Sequence, residues 1–464
     1  MTLVNSNRGR SVAHAAGQSR ELAVSSPSSL TQLYPSSRQL EVLFQVPPSD
    51  QVRRALQHRG VPADPALLHA DTAHKLDAMS SFGASFLATD ETSTFVELVL
   101  AGVRRHLVAK NFGDEHYRRF YNQTIHVMSG DSLRPLPPSM ESLSGSCISL
   151  VGPSMTGKTA LLQRIRTMLG SPFSVEARPV ARWRGSTPAT MTFIPSLNLT
   201  YPKCNTTSGL LKDLREHLVP WISTDDTPEH VLTDLLGTNG ENAAIAACIL
   251  LNVSLVTVDG GNLNSISGNA FEIPAFLLKL NQYSGIPVVL SGTCAYHHYI
   301  SLAGSRSANL FSELQHHLDP LEEPGVDPDG GPRKDSIWYQ KNLWYWSLGM
   351  VSRDITMPES LPVWTYLAAR GREGWLAQGF KALHVELIKK PRLLAPGALT
   401  QKEVTRVFEL QLRMQKKARQ VIAQLQQSNV VEDDADFYDY MDHFPLSFIR
   451  DDRNKGRVRA IRGA

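Results

Sequence analysis

The sequence predicts an α/β fold, a parallel sheet flanked by helices and built around a phosphate-binding loop. Three observations predict it. The stretch Gly152-Pro153-Ser154-Met155-Thr156-Gly157-Lys158-Thr159 reads G-x-x-x-x-G-K-T. It follows an apolar run, Cys147–Val151, and precedes a segment with Leu161, Leu162, Ile165, Met168 and Leu169 at helical spacing. A second apolar run, Ser254-Leu255-Val256-Thr257-Val258, ends on a carboxylate, Asp259. Between and after these runs, strand-like and helix-like segments alternate, the pattern of right-handed βαβ units with ligand at the carboxyl ends of the strands.

The residue types in the loop fit its chemistry. Glycines at 152 and 157 let the backbone wrap a polyphosphate, and the amides at the helix start meet it with the positive end of the dipole. The expected cradle is Gly152, Pro153, Ser154, Met155, Thr156, Gly157, Lys158, Thr159 and Ala160. Lys158 brings charge to the outer phosphates of ATP, and the Thr159 hydroxyl is a Mg²⁺ ligand, with Asp259 holding the metal through water. Hydrolysis also needs a group that orients the attacking water, often a Glu directly after this Asp. Here that position is Gly260, followed by Gly261 and Asn262. A positioned base contributes on the order of 10²–10⁴ in rate, so slow hydrolysis is expected unless another group substitutes. Glu272, Asn262 and Asn264 are candidate surrogates, and a bulged turn at Gly260 with the base supplied from elsewhere is the other reading. Thr293, ending the run Ile286–Leu290 and Ser291-Gly292, is placed to sense the γ-phosphate.

Length and composition set the frame. At 464 residues, 42% hydrophobic and 20% charged, the chain suits a globular protein of two or three domains. A net charge of +3 gives no overall nucleic-acid signature, so any basic surface must be local. Cys147, Cys204, Cys248 and Cys294 lie far apart with no metal spacing and read as buried free thiols in a reducing compartment. No apolar run of about 18 residues is present and the N-terminus has no apolar signal core, so a cytoplasmic protein without a membrane partner is expected.

In chain order, 1–38 reads as a flexible tail and 39–130 as a helical region. Within that region, helices are expected at Asp50–Arg59, Pro65–Met79 and from a capping box at Thr94 to Lys110, with Arg104, Arg105, Lys110, Arg118 and Arg119 on a basic, solvated face. The core spans 131–320, with a second core strand at Met191–Tyr201 and helices marked by Leu210 to Leu218 and by the alanine-rich Asn242–Leu251. A loop insertion rich in Pro, Gly and acid covers 321–335. A helical lid covers 336–428, its aromatic cluster (Trp338, Tyr339, Trp344, Tyr345, Trp346) read as core packing rather than base stacking. Thr400 to Glu403 is a capping box opening a helix to about Gln427. The charge-segregated end, 429–464, reads as a flexible tail, either docking a partner or solubilising.

The string LVGPSMTGKT, the strand followed by Tyr201-Pro202-Lys203-Cys204, the run ending VDGGN and Gly285-Ile286-Pro287-Val288-Val289-Leu290-Ser291-Gly292-Thr293 together resemble the TnsC/TniB family of AAA+ ATPases, regulators of bacterial DNA transposition, including that of CRISPR-associated transposons. The likeness covers about 130–300 and thins towards 430. It implies an AAA+ P-loop core that binds ATP with Mg²⁺ and oligomerises as a ring or helical filament on double-stranded DNA without sequence preference. Such a protein links a target-selection module, such as a CRISPR effector or adaptor, to transposase subunits. The family usually carries D-E-x-Q where this chain has Asp259-Gly260-Gly261-Asn262. The resemblance also implies a trans-acting arginine, with Arg306 nearest after Thr293, a lid role for Arg370 or Arg372, and DNA-backbone contacts at Lys203 and Lys212. The reading from a different class is a signalling or defence P-loop ATPase whose oligomers engage proteins rather than DNA.

Overall fold

The computed structural model describes residues 38–460 apart from 46, 112–113, 128–131, 142–144, 177–189, 204–205, 222–239, 264–270, 303–310, 312–313 and 350–354. Seven strands are present among the described residues: β1 Cys147–Val151, β2 Phe173–Glu176, β3 Thr190–Phe193, β4 Leu197–Thr200, β5 Val256–Gly261, β6 Val288–Gly292 and β7 Gln315–His317. Five of them form one parallel sheet in the order β4-β5-β6-β1-β7. The expected α/β architecture is therefore present. The order sets the site, because β6 lies between the strand feeding the phosphate loop and the strand ending at Asp259.

Side-chain alternation explains how the sheet is covered on both faces. Ile148 and Leu150 of β1 and Val289 of β6 face the phosphate-loop helix Lys158–Leu169 (Leu161, Leu162, Ile165) and the helix Asp90–Ala109 (Phe95, Val96, Val99, Val103). Cys147 of β1, Val256 and Val258 of β5, and Val288 and Leu290 of β6 pack instead against Thr207–Leu218, Glu241–Leu250 and Glu272–Ser284. Cys147, Cys248 and Cys294 are buried free thiols, each pushed up to about 12 by burial; Cys204 lies outside the described residues.

Several local expectations shift. Met191–Tyr201 is two strands: β3 pairs antiparallel with β2, and only β4 joins the main sheet. Three intervening residues, Ile194-Pro195-Ser196, divide it, and a proline interrupts a ladder because it has no N–H to donate. The helix expected from Thr94 starts at Asp90. Thr89 caps it, in a reciprocal box with Thr92, so the box lies upstream of the one read from the sequence. Asp50–Arg59 is helical over Ser49–Leu56, and Pro65–Met79 is a short 3₁₀ turn followed by Thr72–Ala78. The helix capped by Thr400 ends at Gln411 and resumes at Lys416–Ser428. Trp338, Tyr345 and Trp346 do belong to a core, the lid core with Trp375, Phe380 and Phe408. Among the described residues no helix is long and apolar enough to cross a membrane.

Lys110 is the exception on the basic helical face: it is buried, with Nζ donating to Asn252 Oδ1 at 3.2 Å. Burial lowers its pKa to about 7. Because the folded pKa lies below the unfolded one near 10.5, the unfolded chain holds more protons between those values. Stability therefore rises with pH across about 7 to 10.5, by up to about 1.4 kcal/mol per unit. Lys110→Met should flatten that slope relative to wild type in denaturant titrations at pH 7, 8 and 9. Parallel slopes would show that Lys110 is not its source.

The C-terminal segment was expected to be a flexible tail, but its described part is folded. Helix Asp434–Tyr440 and the turns after it bring Phe437, Met441, Phe444, Phe448, Ile449 and Val458 into a cluster with Val151 of β1 and Cys294 and Ala295 after β6. Of the aromatic residues interleaved with Asp434, Asp436, Asp439 and Asp442, Tyr438 is exposed, while Phe437 and Phe444 thus lie on the buried face of an amphipathic segment. Their burial is what holds it on the core.

A candidate nucleotide site at the carboxyl ends of the strands

The loop after β1 has the shape the motif requires. A Cβ at Gly152 would press on the Leu318 carbonyl oxygen, so only glycine lets the segment after β7 pass this close. Lys158 is buried and its Nζ donates to the carbonyls of Gly152 (2.6 Å) and Pro153 (2.8 Å). Burial lowers its pKa to about 8, against the opposing pull of Cys294 and Asp259. Across the sheet, Thr159 Oγ1 donates to Asp259 Oδ2 at 2.6 Å, and Ser291 Oγ donates to Asp259 Oδ1 at 2.7 Å. Hydroxyl and carboxylate, 100 residues apart in sequence, are thus brought together as a Mg²⁺ site needs. The donor set fits a hard, oxygen-liganded cation, which would supply charge neutralisation at the phosphates.

Three separate segments close on the loop. The lid helix Glu373–Lys389 docks its first turn there: Gly374 N donates to the Met155 carbonyl at 2.8 Å. Arg372, directly before that helix, is 1% exposed. One terminal nitrogen donates to the His443 carbonyl, while Nε and Nη1 have no hydrogen-bond partner among the described residues. Burial lowers its pKa to about 10, leaving a buried cation whose free donors suit a phosphate. Arg370, the other lid arginine, is half-buried in a left-handed turn. From the N-terminal side, Thr89, Glu91 and Phe86 join Thr156, Gly157 and Glu373 around a small cleft beside the loop. The third segment is the C-terminal one. Ser154 N donates to the Asp442 carbonyl at 2.8 Å, and Thr293 Oγ1 donates to Asp442 Oδ1. Leu263 N, just past β5, donates to both carboxylate oxygens at 3.1 Å.

The structure thus brings Lys158, Thr159, Asp259 and Thr293 together. Gly260 sits at φ +101° beside a register shift in β5, and its carbonyl accepts from Asn262 Nδ2 at 3.0 Å. A glutamate there would be strained, so the bulged-turn reading of Gly260 is the one that fits. Glu272 is exposed at the start of its helix. Arg306 and Asn264 lie outside the described residues. Lys203 and Lys212 are exposed near edge strand β4, with Lys212 4.0 Å from Glu216. Asp442 and His443 were missed because no motif spacing connects them to the loop; the one available signal was the aromatic interleaving of the acidic block.

These elements define an α/β core with a P-loop, its loop strand flanked by β6 and β7. No family model matches the chain and no curated protein matches it. Among solved structures it is similar to the Aeropyrum pernix ORC1 protein in complex with DNA, at 13% identity over 75% of this chain and 81% of that one, TM-score 0.38. It is also similar to the Aeropyrum pernix ORC2 protein (13% identity, 72% and 79% covered, TM-score 0.35) and to a Walker-type ATPase of Pyrococcus abyssi (11% identity, 76% and 97% covered, TM-score 0.36). The α/β P-loop assignment stands on this chain's own strand order and loop.

Proposed function

We propose that this chain is an ATP-dependent AAA+ regulator of DNA transposition that oligomerises on double-stranded DNA without sequence preference and links a target-selection module to the transposase. The observation that carries the nucleotide half of this reading is the convergence of N-terminal, lid and C-terminal segments on one loop. A ligand bound there touches all three and biases their arrangement, as a nucleotide-controlled assembly requires. The LVGPSMTGKT, YPKC and GIPVVLSGT strings support the transposition half. ATP binding is the switch, with hydrolysis the release step. Lys203 and Lys212 are proposed DNA-backbone contacts and Arg306 a proposed trans-acting residue.

Electron microscopy of the full chain with plasmid-length duplex and ATP or a slowly hydrolysed analogue tests this. The expected result is ordered oligomers on DNA that dissociate as salt rises, since neutralised phosphates release counterions. Nucleotide-dependent oligomers indifferent to DNA would replace this reading with the protein-engaging one.

A further inference from the structure

Asp442 has no role in the site derived so far, yet it occupies the gap the sequence leaves open. The position after Asp259 carries no side chain, and its backbone turns away at φ +101°. With Asp259 held by Thr159 and Ser291, β5 offers no second carboxylate to a water at the γ-phosphate. Asp442 reaches that gap from the far end of the chain. Its carboxylate is held by Leu263 N beyond β5 and by the Thr293 hydroxyl beyond β6, whereas a side chain at 260 would start out towards Tyr201 beyond β4. Its own carbonyl is fixed by the Ser154 amide of the phosphate loop. The Lys158 charge acts on it.

We infer that Asp442 is the carboxylate that orients and deprotonates the attacking water in ATP hydrolysis, supplied by the C-terminal segment in place of a residue at 260. The inference rests on the ATPase reading of the site. In the step, the water oxygen forms a bond to the γ-phosphorus while the bond from that phosphorus to the β,γ-bridging oxygen breaks, and ADP leaves with the electron pair. The Asp442 carboxylate takes the water proton and returns it to phosphate or solvent. Thr293 positions the same water through its hydroxyl. Burial raises the Asp442 pKa from its ordinary carboxylate value, the direction that favours a proton acceptor. Undocking of the 434–460 segment then stops hydrolysis without emptying the nucleotide site, so its packing on Val151, Cys294 and Ala295 also sets the turnover rate.

The test compares wild type, Asp442→Asn and Asp442→Glu in the full chain, with and without duplex DNA. Fluorescent ATP-analogue binding and phosphate release are the two readouts. Asn keeps an acceptor for Thr293 and Leu263 but is not a base. Asp442→Asn is expected to bind the analogue within about threefold of wild type and to release phosphate roughly a hundredfold or more slowly. Asp442→Glu is expected to retain part of the rate. An Asp442→Asn protein that hydrolyses as fast as wild type, or faster, overturns the inference; the faster result would make the segment a plug. If Asp442→Asn melts below the assay temperature, Phe437→Ala decides instead. It should loosen the docked segment and lower phosphate release with binding kept, whereas an unchanged or raised rate overturns the inference. Failure of wild type to bind the analogue at all would remove the ATPase reading itself, a different outcome from binding without any Asp442 effect.

Discussion

Lys158→Ala is expected to weaken ATP binding by roughly a hundredfold or more, about 3 kcal/mol, and to abolish nucleotide-dependent assembly. A charge-assisted hydrogen bond to phosphate is worth about 1.5–3 kcal/mol, and this ammonium sits in a site shielded from water. In the structure its Nζ satisfies itself on the carbonyls of Gly152 and Pro153, so the side chain is already held at the mouth of the loop. The fold should survive, because the alanine removes a largely desolvated charge whose pKa burial has lowered to about 8. A fluorescent-nucleotide titration and a melting curve on the same sample check both halves. Wild-type affinity in the variant would mean the loop binds no phosphate.

Arg372→Met is expected to act in opposite directions with and without ATP. Nε and Nη1 of Arg372 are buried and have no hydrogen-bond partner among the described residues, and a buried charge left unpaired costs several kcal/mol. Replacing it with an unbranched apolar side chain removes that cost, so the nucleotide-free protein should become more stable by about 1–3 kcal/mol. The gain from saturating ATP, about 2.7 kcal/mol at a hundred times the dissociation constant, should shrink by at least half. Denaturant midpoints with and without nucleotide measure both terms. A variant destabilised in both states would place the value of Arg372 in its bond to the His443 carbonyl rather than in the nucleotide.

Much of the site was readable because its parts obey local spacing rules. The phosphate loop, its helix and the carboxylate ending β5 are each set by neighbours within a few residues, and a strand's period of two fixes which faces are covered. Thr293 was found the same way, as the polar residue closing an apolar run. Strand β7 was not found: Gln-His-His is short and polar, and its membership in the sheet comes from pairing with β1. Thr94 and Glu97 offer a string as good as the Thr89 cap, and only the structure shows which box closes a helix.

The C-terminal segment marks the boundary between the two kinds of information. Alternating acids and aromatics read alike for a solvated tail and for an amphipathic packed one, because composition does not say whether an apolar face has a partner. That partner is the patch of Val151, Cys294 and Ala295, brought together only when β1 and β6 pair. The chain by itself determined that a glycine-rich loop between strand and helix, a carboxylate on a second strand and a threonine closing a third exist, since each is a local pattern. Tertiary structure decided that Asp442 meets Thr293 across 149 residues and that Arg372 meets His443 across 71. No periodicity spans such separations. Closing loops of that length costs chain entropy that only the burial of Phe437, Met441, Phe444 and Phe448 offsets, and burial is a property of the assembled fold.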